Sequence, residues 1–157
     1  MNVVSNSTPI ISLATIGKID LLRKLFGTVY VPQAVYQELK SKHAPGHREI
    51  DLPCFEVKQI QGIKYIGFLL HDLDQGEAEA ILLAQEIEAD TLIIDERTGY
   101  RIAQRQGIHT IGTLTVLLLA KQQGIISSVK PLLDDMIKQG RWYSQFVYEN
   151  FLNKIGE

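Results

Sequence analysis

Residues 73–96 read LDQGEAEAILLAQEIEADTLIIDE, and the first half of this stretch predicts an amphipathic helix. Asp74 can serve as the N-cap, and Glu77, three residues later, completes the pattern of a capping box. The apolar residues that follow recur with a helical period. They are Ala80, Ile81, Ala84 and Ile87.

The second half of the stretch predicts a short buried strand that ends in acids. Residues 91–94 (TLII) favour a strand, and Asp95 and Glu96 follow them directly. In an open parallel α/β sheet, ligands bind at the carboxyl ends of the strands. We therefore expect Glu77, at the start of a helix, and Asp95, at the end of a strand, to face one pocket.

These acids also have a simpler explanation. Acids in the first turn of a helix complement the helix dipole, so Asp74 and Glu77 could serve in capping alone. Asp95 is harder to explain in this way, because the end of a buried strand is an unfavourable place for a charge without a partner.

The composition is that of an ordinary soluble globule. The chain has 157 residues, 45% of them hydrophobic and 22% charged, with a net charge of −2, and we expect a single domain over residues 1–157. The net charge is not typical of a nucleic-acid binder. Arg97, Arg101 and Arg105 recur every four residues, which indicates either a local basic patch or a solvated helix face.

Cysteine content and hydropathy exclude several classes of protein. Cys54 is the only cysteine, so the chain forms no intramolecular disulfide and no multi-cysteine metal site. The beginning of the sequence lacks the pattern of a signal peptide, and no apolar run is long enough to cross a bilayer. We therefore expect a cytoplasmic protein that has no membrane partner.

Short apolar runs alternate with helical patterns along the whole chain. This order predicts an α/β fold with a parallel sheet that is covered on both faces. The run near Val3 is expected to be a central strand and residues 55–60 an edge strand. Strands are predicted at 3–5, 28–31, 55–60, 91–94 and 108–111, and helices at 9–14, 19–26, 33–40, 98–106, 114–123, 129–139 and 145–155.

Polar side chains are expected to collect at the carboxyl edge of this sheet. No Ser/His/Asp order and no glycine-rich phosphate loop is present. Converging carboxylates repel each other unless a cation lies between them, and Mg²⁺ or Mn²⁺ prefers such oxygen ligands. A site of this kind can activate water and support phosphodiester cleavage. The candidate residues are Asn6, Ser7, Thr8, Asp95, Glu96 and Thr113, with Glu38 and Glu77 on nearby helices.

Three stretches resemble the PIN domain, and in particular the short prokaryotic PIN-like proteins related to the ribonuclease toxins of toxin–antitoxin pairs. They are VVSNSTPIISLATIGKIDLLRKLFGTVYVPQAVYQEL (3–39), LDQGEAEAILLA (73–84) and TLIIDERTGYRIAQRQGIHTIGTL (91–114). The resemblance covers nearly the whole chain, and the order and spacing of the stretches make it specific.

The resemblance implies a three-layer α/β/α sandwich with a central parallel sheet and a ribonuclease site that uses Mg²⁺ or Mn²⁺. The family's metal positions fall on Asn6, Glu38, Glu77 and Asp95, of which the three acids would be catalytic. Glu96 is a possible auxiliary acid. Ser7, Thr8 and Thr113 match small hydroxyl residues that can bind phosphate or water.

Asn6 departs from the family pattern, which has an aspartate at this position. An asparagine carbonyl can still coordinate Mg²⁺, but it adds no negative charge and cannot act as a base. The sequence therefore leaves two hypotheses open, a weakened metal-dependent ribonuclease and a non-catalytic module that binds nucleic acid or protein. A third reading, a receiver-like protein with Asp95 as phosphoacceptor, lacks the acidic pair that should end the first strand.

Partners also follow from the resemblance. RNA is the expected substrate, with Arg97 and Arg101 as candidate RNA contacts. Toxin-like members of this family often accompany a small antitoxin protein, and many form homodimers. The last predicted helix is apolar enough to pack on a second subunit or on its own core. Its apolar residues are Phe146, Val147, Tyr148, Phe151 and Leu152.

Overall fold

A computed structural model describes residues 1–157 and contains one five-stranded, all-parallel sheet with strand order β3-β2-β1-β4-β5. The strands are β1 Val3–Ser5, β2 Val29–Pro32, β3 Phe55–Lys58, β4 Thr91–Ile93 and β5 Thr110–Ile111. The predictions of an α/β fold, a central first strand and an edge strand after residue 54 are confirmed.

Nine helices surround the sheet. Most of the predicted helix ends lie within two residues of the observed ones, and the short α4 falls in a connector for which the sequence predicted no structure. Single 3₁₀ turns lie at Glu49–Asp51 and Ile63–Tyr65. The helices are α1 Ser7–Thr15, α2 Asp20–Phe26, α3 Gln33–Ser41, α4 Ile66–Leu70, α5 Gln75–Glu86, α6 Arg97–Arg105, α7 Thr113–Gln122, α8 Lys130–Lys138 and α9 Gln145–Lys154.

The central strand β1 is buried on both faces. Its side chains alternate in direction, so Val3 packs in one apolar cluster with Ile10 of α1, and Val4 packs in a second with Ile81 of α5. All four side chains are fully buried. This arrangement confirms the predicted sandwich and explains why the first strand is apolar throughout.

The beginning of α1 lies two residues before the predicted helix at 9–14. Asn6 occupies the N-cap position, and its side chain makes no capping hydrogen bond. The backbone N–H of Asn6 instead donates to Ile93 O over 2.9 Å, which ties Asn6 to the neighbouring strand. The chain passes from β1 into α1 within one residue, so Ser7 lies inside the helix.

The candidate site lies where the strand order reverses direction. β1 pairs with β2 on one side and with β4 on the other, and Ser5 lies opposite Ile93. Asn6 and Asp95 therefore follow two adjacent parallel strands and emerge at the same edge of the sheet, as the sequence predicted. None of the helices is long and apolar enough to span a membrane.

Candidate functional site

A buried side-chain oxygen without a hydrogen-bond partner lies at the carboxyl edge of the sheet. Asn6 is 3% exposed, and its side-chain Oδ1 atom has no hydrogen-bond partner. Gly76, in the first turn of α5, leaves space beside it. A Cβ atom at Gly76 would lie 3.6 Å from Asn6 Oδ1 and 3.3 Å from Glu38 Oε2. Because Gly76 has no side chain, Asn6 Oδ1 and Glu38 Oε2 border the same small space.

Glu38 is held in this space by Ser7 of α1 and by Lys42, which follows α3. Ser7 Oγ, in the first turn of α1, donates a hydrogen bond of 2.9 Å to Glu38 Oε2. Lys42 Nζ lies 3.3 Å from Glu38 Oε1, and the lysine side chain is largely exposed. The Ser7 bond fixes the oxygen that faces Gly76, while the exposed Lys42 contact is of the weak surface kind.

Asp95 follows β4 and makes a denser set of contacts. Its Oδ1 atom accepts from the backbone N–H of Thr113 over 2.7 Å, and its Oδ2 atom accepts from Thr113 Oγ1 over 2.5 Å. A Cβ atom at Gly112 would lie 2.8 Å from Asp95 Oδ1, so a side chain there would force the Asp95 carboxylate to move. The beginning of α7 thereby fixes the orientation of the Asp95 carboxylate.

A cation that the sequence analysis did not identify completes the surroundings of Asp95. Arg141 Nη1 lies 3.2 Å from Asp95 Oδ2 and also donates to Ser12 Oγ over 3.3 Å. Its guanidinium lies 4.9 Å from the centre of the Tyr143 ring. Burial and the nearby Asp95 raise the pKa of Tyr143 to about 12, so its hydroxyl stays protonated.

Glu77 lies in a different acidic group at the beginning of α5. It forms the predicted capping box, in which the backbone N–H of Glu77 donates to Asp74 Oδ1 over 2.8 Å and that of Asp74 donates to Glu77 Oε2 over 3.3 Å. Burial, followed by the charge of Asp74 and a smaller contribution from Glu96, raises the pKa of Glu77 to about 7. Glu96 caps α6 and accepts from the N–H groups of Thr98 and Gly99.

The structure thus divides the predicted site residues into three neighbouring groups. Asn6, Ser7 and Glu38 form the first group, Asp95 and Thr113 the second, and Glu77 and Glu96 the third, where they accompany Asp74. No three acidic, histidine or cysteine side chains are close enough to enclose a metal ion. Glu77 and Asp95 share no hydrogen-bond partner, and the common pocket expected for these two residues stays a prediction.

The first group nevertheless suits a divalent cation. Asn6 Oδ1 is a buried acceptor without a donor, which is an expensive arrangement in the absence of a ligand. A carboxylate oxygen of Glu38 faces the same side-chain-free space at Gly76. Mg²⁺ keeps several waters and needs only one or two carboxylates from a protein. These donors therefore fit Mg²⁺ or Mn²⁺ without the enclosed cluster that Ca²⁺ would require.

The remaining predicted residues lie on accessible surfaces. Thr8 lines a cleft of about 580 Å³ together with Ser12, Thr15 and Arg141. Arg97 and Arg101 are exposed on α6, and neither forms an ion pair. Both arginines are therefore free to contact an external anion, such as a nucleic-acid backbone.

Sequence reasoning missed Arg141 because no local pattern marks it. It lies in the turn between α8 and α9, 46 residues from Asp95, outside any helical or strand period. Lys42 was missed for the opposite reason, since a lysine that follows an amphipathic helix is usually a solvated surface residue.

The chain was also compared with known proteins. A family model described as a PIN domain matches residues 2–157. No curated protein matches the chain at a significant level. The family match covers almost the whole chain and agrees with the resemblance that the three sequence stretches carry.

Proposed function

The chain belongs to the PIN-domain family, and from this membership we propose that it is a toxin-like ribonuclease that depends on a divalent metal ion. PIN domains are nuclease-type domains that generally use divalent metals. The observation that supports the proposal most strongly is the buried, unpartnered Oδ1 atom of Asn6 beside Glu38 Oε2.

Four residues would hold the cation, which we propose to be Mg²⁺ or Mn²⁺. They are Asn6, Glu38, Glu77 and Asp95. The three acids do not form a cluster that encloses an ion, so Asn6 and Glu38, which border one space at Gly76, would provide the preformed part of the site. A bound divalent cation supplies positive charge that stabilises the charge developing on a phosphate group and makes water more acidic.

The chain's own hydrogen bonds prepare two of these groups. Ser7 orients Glu38 through its hydroxyl, and Thr113 orients Asp95 through its hydroxyl and backbone N–H. Carboxylates that are fixed in advance lose little conformational freedom when they engage a ligand. Thr8 contributes a hydroxyl to the cleft through which a phosphate backbone would pass.

Glu77 holds its proton most readily when no metal is bound. Burial and the charge of Asp74 raise its pKa to about 7, so the protonated and ionised forms are close to balance near neutral pH. A divalent cation favours the ionised carboxylate, so cation binding at Glu77 would release this proton.

RNA would reach the site along α6. Arg97 and Arg101 are exposed there, one helical turn apart, and α6 begins two residues after Asp95. Contacts of this kind bind the phosphate backbone without reading its sequence. RNA as the substrate comes from the family resemblance.

Calorimetric titration of Mn²⁺ into the metal-free protein tests the proposal. We expect saturable binding that is lost in Asp95→Asn, together with cleavage of a labelled single-stranded RNA that requires added Mn²⁺ and stops with EDTA. The absence of Mn²⁺ binding at millimolar concentration would contradict the proposal.

A non-catalytic binding module is the second candidate, and the charges of the site favour it. Asn6 is neutral, Lys42 contacts Glu38, and Arg141 contacts Asp95, so the usual excess of negative charge is small. The Asn6→Asp variant separates the two functions. If that variant cleaves RNA in the presence of Mn²⁺ while the parent does not, the native protein is a binding module.

Protein partners would use α9. Leu152 on this helix is buried in the core, which agrees with docking on the chain's own fold, while Phe146 is 73% exposed. Phe146 and Val147 border an apolar groove of about 370 Å³ with Leu114 and Leu118 of α7. We propose this groove as the contact for an antitoxin or a second subunit, and substitution of Phe146 by Ser should abolish the corresponding complex in sedimentation experiments.

A further inference from the structure

The Asp95 carboxylate is already neutralised by the chain itself. Asp95 and Arg141 are largely removed from solvent, with side chains 9% and 22% exposed, and their charged atoms lie 3.2 Å apart. Solvent and salt screen such a pair less than a surface ion pair. Thr113 supplies two further hydrogen bonds to the same carboxylate, so an added cation would meet a carboxylate whose acceptor sites are mostly in use.

Arg141 nevertheless keeps donors for another partner. Its contacts to Asp95 and Ser12 both use Nη1, and Nε and Nη2 make no hydrogen bond within the protein. Arg141 borders the cleft of about 580 Å³ that Thr8, Ser12 and Thr15 also line. The three residues recur on one face of α1. The Thr15 hydroxyl donates to Ile11 O, so the donors that the cleft offers to a phosphate group are the Thr8 and Ser12 hydroxyls and the Arg141 guanidinium.

We propose that Arg141 exchanges partners: it neutralises Asp95 while the cleft is empty, and it binds a phosphate group of the substrate in the cleft, which releases Asp95 for the divalent cation. This inference rests on the proposed metal-dependent function. It assigns Arg141 as a phosphate-binding residue and makes metal binding and substrate binding depend on each other.

The charges explain why the two cations compete. A guanidinium and a divalent cation on one carboxylate oxygen repel each other, so either one weakens the binding of the other. The planar guanidinium of Arg141 can donate two hydrogen bonds to a phosphate group, whereas its contact with Asp95 uses a single nitrogen. Because coupling between two ligands is reciprocal, phosphate in the cleft should strengthen metal binding at Asp95.

Calorimetric titration of Mn²⁺ compares the parent with Arg141→Met and Arg97→Met. Removal of Arg141 should tighten Mn²⁺ binding about tenfold, a typical size for coupling between sites. Arg97→Met is the matched control, because it removes an equal charge two residues from Asp95 without breaking an ion pair. Equal affinities of the parent and Arg141→Met would overturn the inference, and so would an equal gain in Arg97→Met.

The second arm repeats the titration with a short single-stranded 2′-O-methyl oligoribonucleotide, chosen to resist cleavage, after subtraction of Mn²⁺ binding to the oligonucleotide alone. The oligonucleotide should tighten Mn²⁺ binding to the parent and leave the affinity of Arg141→Met unchanged. An equal gain in both proteins would overturn the inference.

A measurement on the unmodified protein guards against a variant that folds poorly. In protein labelled with ¹⁵N-arginine, saturating Mg²⁺ should shift the Arg141 Nε–H signal, and an unmoved signal at saturation would overturn the inference. If neither the parent nor Arg141→Met binds Mn²⁺, the inference and the proposed function both fail. If both bind equally well, only the inference fails.

Discussion

The amide oxygen of Asn6 lies 3.6 Å from the point where a side chain at Gly76 would begin. The two residues come from different layers of the fold, since Asn6 follows the central strand and Gly76 lies in the first turn of α5. Their approach leaves a small polar space that Glu38 Oε2 also borders. A single methyl group at Gly76 would occupy it.

Gly76→Ala should therefore weaken metal binding without harming the fold. Alanine is a better helix former than glycine by about 1 kcal/mol, while its Cβ would lie 3.3 Å from Glu38 Oε2 and fill the space. We expect an unchanged or higher melting temperature and Mn²⁺ binding about tenfold weaker, the order of loss that follows when a ligand's orientation is disturbed. Calorimetry and thermal melting measure the two effects.

Gly67→Ala is the matched control for this variant. Gly67 lies inside α4, and a Cβ atom there would meet nothing within 4 Å. It should share any gain in stability and leave Mn²⁺ affinity at the parent value. Unchanged Mn²⁺ affinity in Gly76→Ala would show that the cation does not use this space.

Asn6→Asp should make stability depend on the metal. The position is 3% exposed and the Oδ1 atom has no donor, so an aspartate there becomes a buried charge without a partner. We expect a loss of about 1–3 kcal/mol in the free energy of unfolding in EDTA. Mn²⁺ should restore this loss, because a carboxylate binds a divalent cation more strongly than an amide does.

Urea denaturation with EDTA and with Mn²⁺ checks this expectation. Asn150→Asp introduces the same charge at an exposed position of α9 and should change stability by no more than about 0.5 kcal/mol under either condition. An Asn6→Asp protein that Mn²⁺ stabilises no more than it stabilises the parent would argue against a cation at Asn6.

The sequence was sufficient to predict the framework that brings these residues together. The apolar runs around Val4 and Leu92 are buried on both faces, and burial of that kind leaves a strong local signal. The capping box of Asp74 and Glu77 was also predictable, because its two partners are three residues apart. Where local chemistry decides the structure, a single sequence carries enough information.

The contacts of the site residues were not predictable in the same way. Arg141 reaches Asp95 across 46 residues of chain, and a turn residue carries no periodic signal that would indicate its partner. The sequence also did not indicate that the Glu96 carboxylate caps α6, where it accepts from N–H groups that the beginning of a helix leaves unpaired. Such pairings depend on how the loops are arranged in the folded chain, and the local sequence pattern does not indicate this arrangement.

Glu77 should make the protein less stable as the pH rises from 4.5 to about 7. Burial and then the charge of Asp74 raise its pKa from 4.5 to about 7, so the folded state binds more protons than the unfolded state in this window. The stabilising effect is complete below pH 4.5 and is lost as the pH rises through the folded-state pKa of about 7. Because Glu77 is only half-buried, we expect the loss to be about 1 kcal/mol after solvent screening.

Glu77→Gln should remove this pH dependence, because glutamine is neutral throughout and can still accept the hydrogen bond from Asp74. The variant should match the parent near pH 4.5 and exceed it in stability above about pH 7. Urea denaturation across the range measures the difference. Glu88→Gln, at an exposed position whose carboxylate makes no hydrogen bond, should show a constant difference, and a constant difference in Glu77→Gln would contradict the assignment.

Glu157 has the opposite dependence on pH. Burial alone would raise its pKa, but the contact with Lys121 and the hydrogen bonds from the backbone N–H groups of Val129 and Lys130 lower it from 4.5 to about 2. The carboxylate thereby joins the last residue to α7 and to the beginning of α8, with Lys121 Nζ at 2.8 Å. Its contribution to stability is present above pH 4.5 and is lost as the pH falls towards 2.

Glu157→Gln should therefore cost about 1–2 kcal/mol at neutral pH, the usual range for losing charged hydrogen bonds of this kind. The difference from the parent should shrink steadily below pH 4.5, because protonation removes the same charge from the parent. Glu149→Gln on α9, an exposed position with one hydrogen bond from Gln145, should stay within about 0.5 kcal/mol of the parent. If Glu157→Gln lowers the free energy of unfolding as much near pH 3 as at neutral pH, the shape of the Glu157 side chain rather than its charge stabilises these contacts.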